Sequence, residues 1–200
     1  VLDVDACSTA DGQNVQQWEW LGGTCQQWLI ESVSPNEIAA GSYSITSKNS
    51  GKVLDVSGCS SSVGANVQQW SWNGANCQRW TVSATADGFY EITSNESGLA
   101  LDVNGCLSVN GQNVQQWTST GANCQRWGFE EVETGYYRIV SKNGGKVLDV
   151  AGCSTVDGAN VQQYQWLGGD CQRWALATVA SSQRMTAEAT LSSEMRFNIY

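Results

Sequence analysis

Short alternating segments run through the chain. In Ser42-Tyr43-Ser44-Ile45-Thr46, Phe89-Tyr90-Glu91-Ile92-Thr93 and Tyr136-Tyr137-Arg138-Ile139-Val140 an aromatic and an isoleucine stand two residues apart. Side chains on a strand alternate between its faces, so this spacing predicts strands with one apolar face. The Ser/Asn/Gly groups that follow predict turns. A second kind of segment, Leu54-Asp55-Val56, predicts a strand whose Leu54 and Val56 face a core and whose Asp55 faces away. The same period in Asn66-Val67-Gln68-Gln69-Trp70 sends Val67 and Gln69 inward and Gln68 and Trp70 outward. An inward glutamine has no explanation in the strand pattern. Trp80, which closes Cys77-Gln78-Arg79-Trp80, reads as a core aromatic, as do Trp28, Trp127 and Trp174 at the same place in their segments.

The segments recur as a unit. Leu-Asp-Val stands at Leu2, Leu54, Leu101 and Leu148, with intervals of 52, 47 and 47 residues. Each copy continues to a first cysteine (Cys7, Cys59, Cys106, Cys153), a Val-Gln-Gln-aromatic segment ending at Trp18, Trp70, Trp117 or Tyr164, and a second cysteine (Cys25, Cys77, Cys124, Cys171). The two cysteines are 18 residues apart in every copy. A unit repeated with fixed internal spacing most simply makes the same bond each time. The expected disulfides are therefore Cys7–Cys25, Cys59–Cys77, Cys106–Cys124 and Cys153–Cys171.

Composition narrows what such a unit can do. Charged residues are only 14% of the 200, the net charge is −9, and there are ten tryptophans, 21 glycines and one proline. Gln, Asn, Ser and Thr must therefore wet the surface, and disorder is excluded. The acidic balance has no basic cluster, which argues against nucleic acid and anionic lipid as partners. No apolar run approaches the roughly 20 residues of a membrane span, so no membrane insertion is expected. With no leader visible, the chain is expected to begin at a processed or truncated N-terminus. Histidine is absent, which removes the commonest general base and the Ser-His and Cys-His nucleophile pairs. No phosphate loop or metal cluster is present, so neither catalytic residues nor a metal or other cofactor is expected. Eight cysteines, none in Cys-x-x-Cys spacing, point to an oxidising, secreted setting.

The unit, with its Leu-Asp-Val strand, Val-Gln-Gln-Trp segment and closing Cys-Gln-Arg-Trp, resembles that of the ricin-type β-trefoil lectins and carbohydrate-binding modules, whose signature is a repeated Gln-x-Trp. The resemblance covers roughly residues 1 to 30 and 41 to 176. It implies an all-β, three-lobed β-trefoil, here with lobes of about 47 residues and one disulfide within each. It also implies one shallow sugar site per lobe. In that family the strand Asp accepts hydrogen bonds from sugar hydroxyls, an aromatic some fifteen residues on stacks on the sugar ring, and a polar pair near the closing Gln-x-Trp completes the site. Carried over, this gives Asp3, Asp55, Asp102 and Asp149 as acceptors and Trp18, Trp70, Trp117 and Tyr164 as stacking plates. Gln26, Gln78, Gln125 and Gln172 fall on the polar pair, and Gln16, Gln68, Gln115 and Gln162 are strand glutamines able to reach the ligand. The family's Asn in that pair is replaced by Cys25, Cys77, Cys124 and Cys171, with Asn14, Asn66, Asn113 and Asn160 as candidate substitutes. Asn73, where other copies have Leu21, Thr120 or Leu167, adds a polar contact and makes the second copy the strongest site.

The physics of a neutral sugar agrees. Its CH faces need an aromatic plate and its paired hydroxyls need a fixed carboxylate or amide. The expected partner is a neutral saccharide or polysaccharide, and the expected role is that of a module appended to a secreted polysaccharide-degrading enzyme. A free-standing lectin is the alternative, and a protein-binding or protease-inhibiting trefoil a more distant one. Four copies against three lobes leave one over. Residues 41–176 are expected to form the trefoil, 1–30 a partial lobe, 31–40 a linker around Pro35, and 177–200 an extension. Phe197-Asn198-Ile199 in that extension repeats the aromatic-x-Ile spacing, so it is a candidate strand to complete the first copy through strand exchange, tandem-module packing being the other option.

Overall fold

The computed structural model describes residues 1–28 and 37–179, and the chain divides into two compact units, Val1–Ser34 and Pro35–Tyr200. The first is a hairpin of β1 (Leu2–Val4) and β2 (Val15–Gln17) in antiparallel register, with Asp3 opposite Gln16. The candidate strand at 196–200 lies outside the described residues.

The second unit repeats a four-strand lobe three times. The first lobe has β3 (Gly41–Ser47), β4 (Val53–Val56), β5 (Val67–Trp70) and β6 (Trp80–Ala84). The next has β7 (Tyr90–Ser94), β8 (Ala100–Val103), β9 (Gln112–Trp117) and β10 (Trp127–Glu133). The last has β11 (Tyr136–Ser141), β12 (Val147–Val150), β13 (Val161–Tyr164) and β14 (Trp174–Thr178). The outer strands of each lobe close a ring in the order β3, β6, β7, β10, β11, β14 and back to β3, all antiparallel. Closure leaves no free barrel edge. The inner pairs β4–β5, β8–β9 and β12–β13 are hairpins, and bridges such as Gln68 to Asn160 and Asn66 to Gln115 link them in a cap. This is the β-trefoil. Ile38, inside the span read as a linker, is buried in its core and donates its N–H to the Tyr90 hydroxyl at 3.0 Å.

The core is built in threes. Ile45, Ile92 and Ile139 from the opening strands, Leu54, Leu101 and Leu148 from the Leu-Asp-Val strands, and Trp80, Trp127 and Trp174 are all fully buried. Each tryptophan donates its indole N–H to the carbonyl of the leucine in its own lobe, at 2.9 to 3.0 Å, so the polar tip is satisfied where the rings pack.

The inward glutamine now has its reason. Gln69 Nε2 donates to the carbonyls of Ser154 and Val156, Gln116 Nε2 to those of Ser60 and Ser62, and Gln163 Nε2 to those of Leu107 and Val109. Each glutamine is a fully buried clamp that satisfies two carbonyls in a neighbouring lobe's turn, which would otherwise be costly to bury. Ser50 and Ser97 hydroxyls donate to the Oε1 atoms of Gln69 and Gln116. Gly144 takes the serine's place in the last lobe, and Gln163 Oε1 has no partner among the described residues.

Trp28 departs from its expected place in a core. It keeps the indole bond, to the Leu2 carbonyl at 3.0 Å, but is 47% exposed. The burial of its counterparts comes from neighbouring lobes, not from the hairpin itself.

Candidate functional site

All four disulfides join the expected partners, with Cα atoms 5.0 to 5.1 Å apart. Each ties the turn after a Leu-Asp-Val strand to the short turn before the closing tryptophan. The first cysteine of each pair has a left-handed backbone, with φ between 48° and 51°, a conformation rare for a side-chain-bearing residue. In the three lobes the residue before it is a left-handed glycine, Gly58, Gly105 or Gly152, whereas the first repeat has Ala6 there at φ 54°.

This fold-back makes one shallow cleft per copy, with volumes of about 400, 380, 330 and 270 Å³ in chain order. These lie around the lower end of the range for small-molecule sites. In the lobe of β4 and β5 the cleft is lined by Asp55, Ser57, Gly58, Cys59, Gln68, Trp70 and Asn73. The counterparts of these residues, Ala151 excepted, line the other clefts, which also include Gln26, Gln125 or Gln172, whereas Gln78 does not line its own. Asp3, Gln16, Trp18 and Gln26 share one cleft, Asp102, Gln115, Trp117 and Gln125 another, and Asp149, Gln162, Tyr164 and Gln172 a third.

The carboxylates sit deeper than an outward strand position implies. Asp55 is only 5% exposed, since the disulfide and the strand glutamine cover it. Gln68 donates to Asp55 at 2.8 Å, Gln115 to Asp102 at 2.9 Å, Gln162 to Asp149 at 2.8 Å, and Gln16 to Asp3 at 3.2 Å. Burial raises the carboxyl pKa of Asp55, Asp102 and Asp149, opposed by hydrogen bonds from Gln68 and Gln78, Gln115 and Gln125, and Gln162 and Gln172; the charge of Asp157 adds to the rise at Asp55. The aromatics stand at the rim. Trp70, Trp117 and Trp18 are all exposed, and Tyr164 is half-buried.

The polar-pair glutamines hold the loop. Gln78 accepts the Asn73 N–H at 2.8 Å and donates to the Ser71 carbonyl at 3.0 Å, and it is fully buried. Gln26, Gln125 and Gln172 make the same two backbone bonds. Asn73 spends its side-chain carbonyl on the Ala75 N–H at 2.9 Å. The substitute asparagines lie elsewhere. Asn66 donates to Asn160 at 3.0 Å and Asn113 to Asn66 at 2.9 Å, so they join the lobes in the cap and line none of the four clefts. At the position where the resemblance implies an Asn, Cys25, Cys124 and Cys171 line their clefts, and Cys77 does not line its own. The cleft-lining turn at Ser57–Cys59 was not singled out by sequence, although its Gly-Cys pair is a signal for a left-handed turn.

A sequence profile described as ricin-type beta-trefoil lectin domain-like matches residues 1–38, 33–117 and 123–192. No curated protein sequence matches the chain. Among solved structures, the designed three-fold symmetric protein ThreeFoil is 42% identical over 70% of this chain and 99% of its own, with a TM-score of 0.68. An exo-β-1,3-galactanase from Clostridium thermocellum is 39% identical over 71% of this chain, with a TM-score of 0.68, and the match spans 31% of that enzyme. The Macrolepiota procera ricin B-like lectin, solved in complex with lactose, shares the fold at 22% identity, covering 72% of this chain and 100% of its own, with a TM-score of 0.63.

Proposed function

The chain belongs to the ricin-type β-trefoil lectin-like family, and from that membership we propose that it is a non-catalytic carbohydrate-binding module, secreted, that holds a neutral polysaccharide at several equivalent clefts. The observation that carries this is the recurrence, in every copy, of a buried carboxylate held by a strand glutamine beneath an exposed or half-exposed aromatic rim. The carboxylate accepts a pair of ring hydroxyls, the glutamine fixes its orientation, and the aromatic covers a CH face. Gln78 and its equivalents act as positioning residues through the loop and the carboxylate.

Each cleft is shallow, and a single sugar makes few contacts. Tethered sites on one rigid trefoil raise apparent affinity for a chain-like ligand by about 10² to 10⁴. Attachment to a polysaccharide-degrading enzyme is supported by the 39% identity to part of the galactanase. That identity also puts galactose-type saccharides first among the probes.

Titration calorimetry with lactose, a soluble β-1,3-linked galactan, xylan and mannan tests the reading. Binding to at least one of them, tighter for polymer than for the free sugar, is expected; a folded chain silent to all four overturns it. Trp70→Ala lowers binding more than Tyr164→Ala, because Trp70 is the larger plate and Asn73 lies beside it. Equal losses sink that ranking.

A further inference from the structure

A tryptophan stands two residues beyond the rim aromatic in two of the three lobes, Trp72 after Trp70 and Trp166 after Tyr164. Neither ring lines any of the four clefts, yet residues on both sides of it do: Trp70 and Asn73 around Trp72, Tyr164 and Leu167 around Trp166. Trp72 is 44% exposed and Trp166 is half-buried. Two extended residues span at most about 7 Å, so each ring is rooted one short step outside the cleft that its neighbours wall.

The loop around each ring is fixed. Gln78 accepts the Asn73 N–H and donates to the Ser71 carbonyl, the two backbone groups that flank Trp72, and Gln172 holds the Leu167 N–H and the Gln165 carbonyl around Trp166 in the same way. From the neighbouring lobes, Asp157 accepts the Ser71 N–H at 2.7 Å and Asn110 the Gln165 N–H at 2.9 Å. The rings are braced as well. The Arg79 guanidinium lies 5.8 Å from the centre of the Trp72 ring, and that of Arg138 lies 5.4 Å from the centre of Trp166. Arg79 is tied to the Gly74 carbonyl at 3.2 Å and Arg138 to Glu130 at 2.8 Å. A cation over one face of an indole is attracted to its quadrupole and leaves the opposite face as a plate.

The remaining lobe shows that the loop does not need the ring. Ser119 stands at that place, Gln125 makes the same two backbone bonds around it, to the Thr120 N–H and the Thr118 carbonyl, and the serine hydroxyl donates to Glu91. Folding of the loop therefore does not account for a tryptophan there, whereas a ring held in place and open to water offers the surface on which the CH face of a sugar stacks.

We propose that Trp72 and Trp166 are second stacking plates, each taking the next ring of a saccharide whose first ring occupies the adjoining cleft. This rests on the sugar-binding reading and deepens it. The ligand is a neutral oligosaccharide or polysaccharide longer than the cleft, bound over more than one ring by the β4–β5 and β12–β13 lobes and over a single ring by the β8–β9 lobe.

Titration calorimetry tests this with three free sugars and their polymers: galactose with soluble β-1,3-linked galactan, xylose with xylan, and mannose with mannan. The affinity of each free sugar is read from its displacement of the polymer. The full chain is compared with a variant carrying Trp72→Ala and Trp166→Ala, with Trp20, at the same place in the first repeat, changed to Ala alongside so that no copy keeps the plate. The expected result is a fall of about tenfold in affinity for the polymer, the usual effect of losing an aromatic contact, with free-sugar affinity and barrel melting unchanged. Phe at the three positions restores most of the polymer affinity. Polymer binding that the Ala variant leaves intact overturns the proposal. So do equal losses for free sugar and polymer, since a ring that only shapes the cleft weakens both. An unaltered chain silent to all three pairs overturns the sugar-binding reading itself, and the second plates with it.

Discussion

Trp28 and Trp80 hold the same place in two copies of one hairpin, and each donates its indole N–H to the carbonyl of the strand leucine, Leu2 at 3.0 Å and Leu54 at 2.9 Å. Yet Trp28 is 47% exposed and Trp80 is fully buried. Both copies form the same disulfide, and both place an aspartate, a glutamine and a tryptophan around a cleft. The local sequence therefore makes the hairpin, the staple and the cleft, while the apolar face is covered only where two other lobes and the barrel meet it. Site and core are separable properties of the repeat.

The strongest way to break that separation is to truncate both tryptophans. Trp80→Ala removes a fully packed ring and should destabilise the barrel by about 3–5 kcal/mol, the usual loss for a buried aromatic. Trp28→Ala should leave the barrel's thermal transition where it was. Calorimetric melting of the two variants checks this, and a barrel equally weakened by Trp28→Ala would show that the two units are energetically coupled.

A second test sets the site against the core by pH. Asp55, Asp102 and Asp149 have raised carboxyl pKa values because burial disfavours their charge. Folded-state protonation is then favoured relative to the unfolded chain, so these three groups add stability as pH falls through their raised values and remove it as pH rises. Sugar binding runs the other way, since a protonated carboxyl loses acceptor capacity; hydrogen bonds to a charged group are worth about 1.5–3 kcal/mol. Affinity should therefore begin to fall at a pH above the ordinary carboxylate value, while the contribution of these groups to melting moves upward. Calorimetric titration and melting over the same pH series check both signs, and affinity that is flat through that window would remove the carboxylates from the site.

The inward glutamine sharpens the comparison further. Gln69→Leu leaves the Ser154 and Val156 carbonyls and the Ser50 hydroxyl without their partner. The expected cost is about 1–3 kcal/mol, seen as a lower barrel transition, whereas Gln17→Leu should leave that transition unchanged. This residue also marks where reading the sequence stopped. Period-two alternation placed Gln69 inward correctly, but its partners lie 85 and 87 residues away, and nothing local reveals a contact made only when lobes close around an axis. The same limit explains Trp28, whose core position was inferred from likeness to the other copies, and Asn66, Asn113 and Asn160, which serve the junction between lobes. The three-lobed plan was implied by the family resemblance and not by the spacing, which shows four copies, whereas the strands and the disulfides were legible because each follows from spacing within one repeat. At the cleft, Asp, Gln and aromatic were legible as a set for the same reason. The loop-holding role of Gln78 was not, because its partners Ser71 and Asn73 are backbone groups and any sequence supplies those.

The smallest expected effect lies in the turn that walls each cleft. The lobes pass through it with a glycine followed by a cysteine, both left-handed, and the first repeat does so with Ala6 at φ 54° and Cys7 at φ 51°. A left-handed conformation costs a residue with a β-carbon about 1–2 kcal/mol, and glycine escapes that cost while adding freedom to the unfolded chain. Ala6→Gly should therefore stabilise the first hairpin by about 1 kcal/mol, read as slower amide exchange of β1 and β2 with no change in the barrel. Gly58→Ala is the reciprocal substitution and should weaken its own turn by a similar amount, with the Asp55 to Gln68 bond as the reporter. If Ala6→Gly instead speeds exchange, the alanine is held by a contact the turn's backbone alone does not account for, and the first cleft differs from the other three in more than its neighbours.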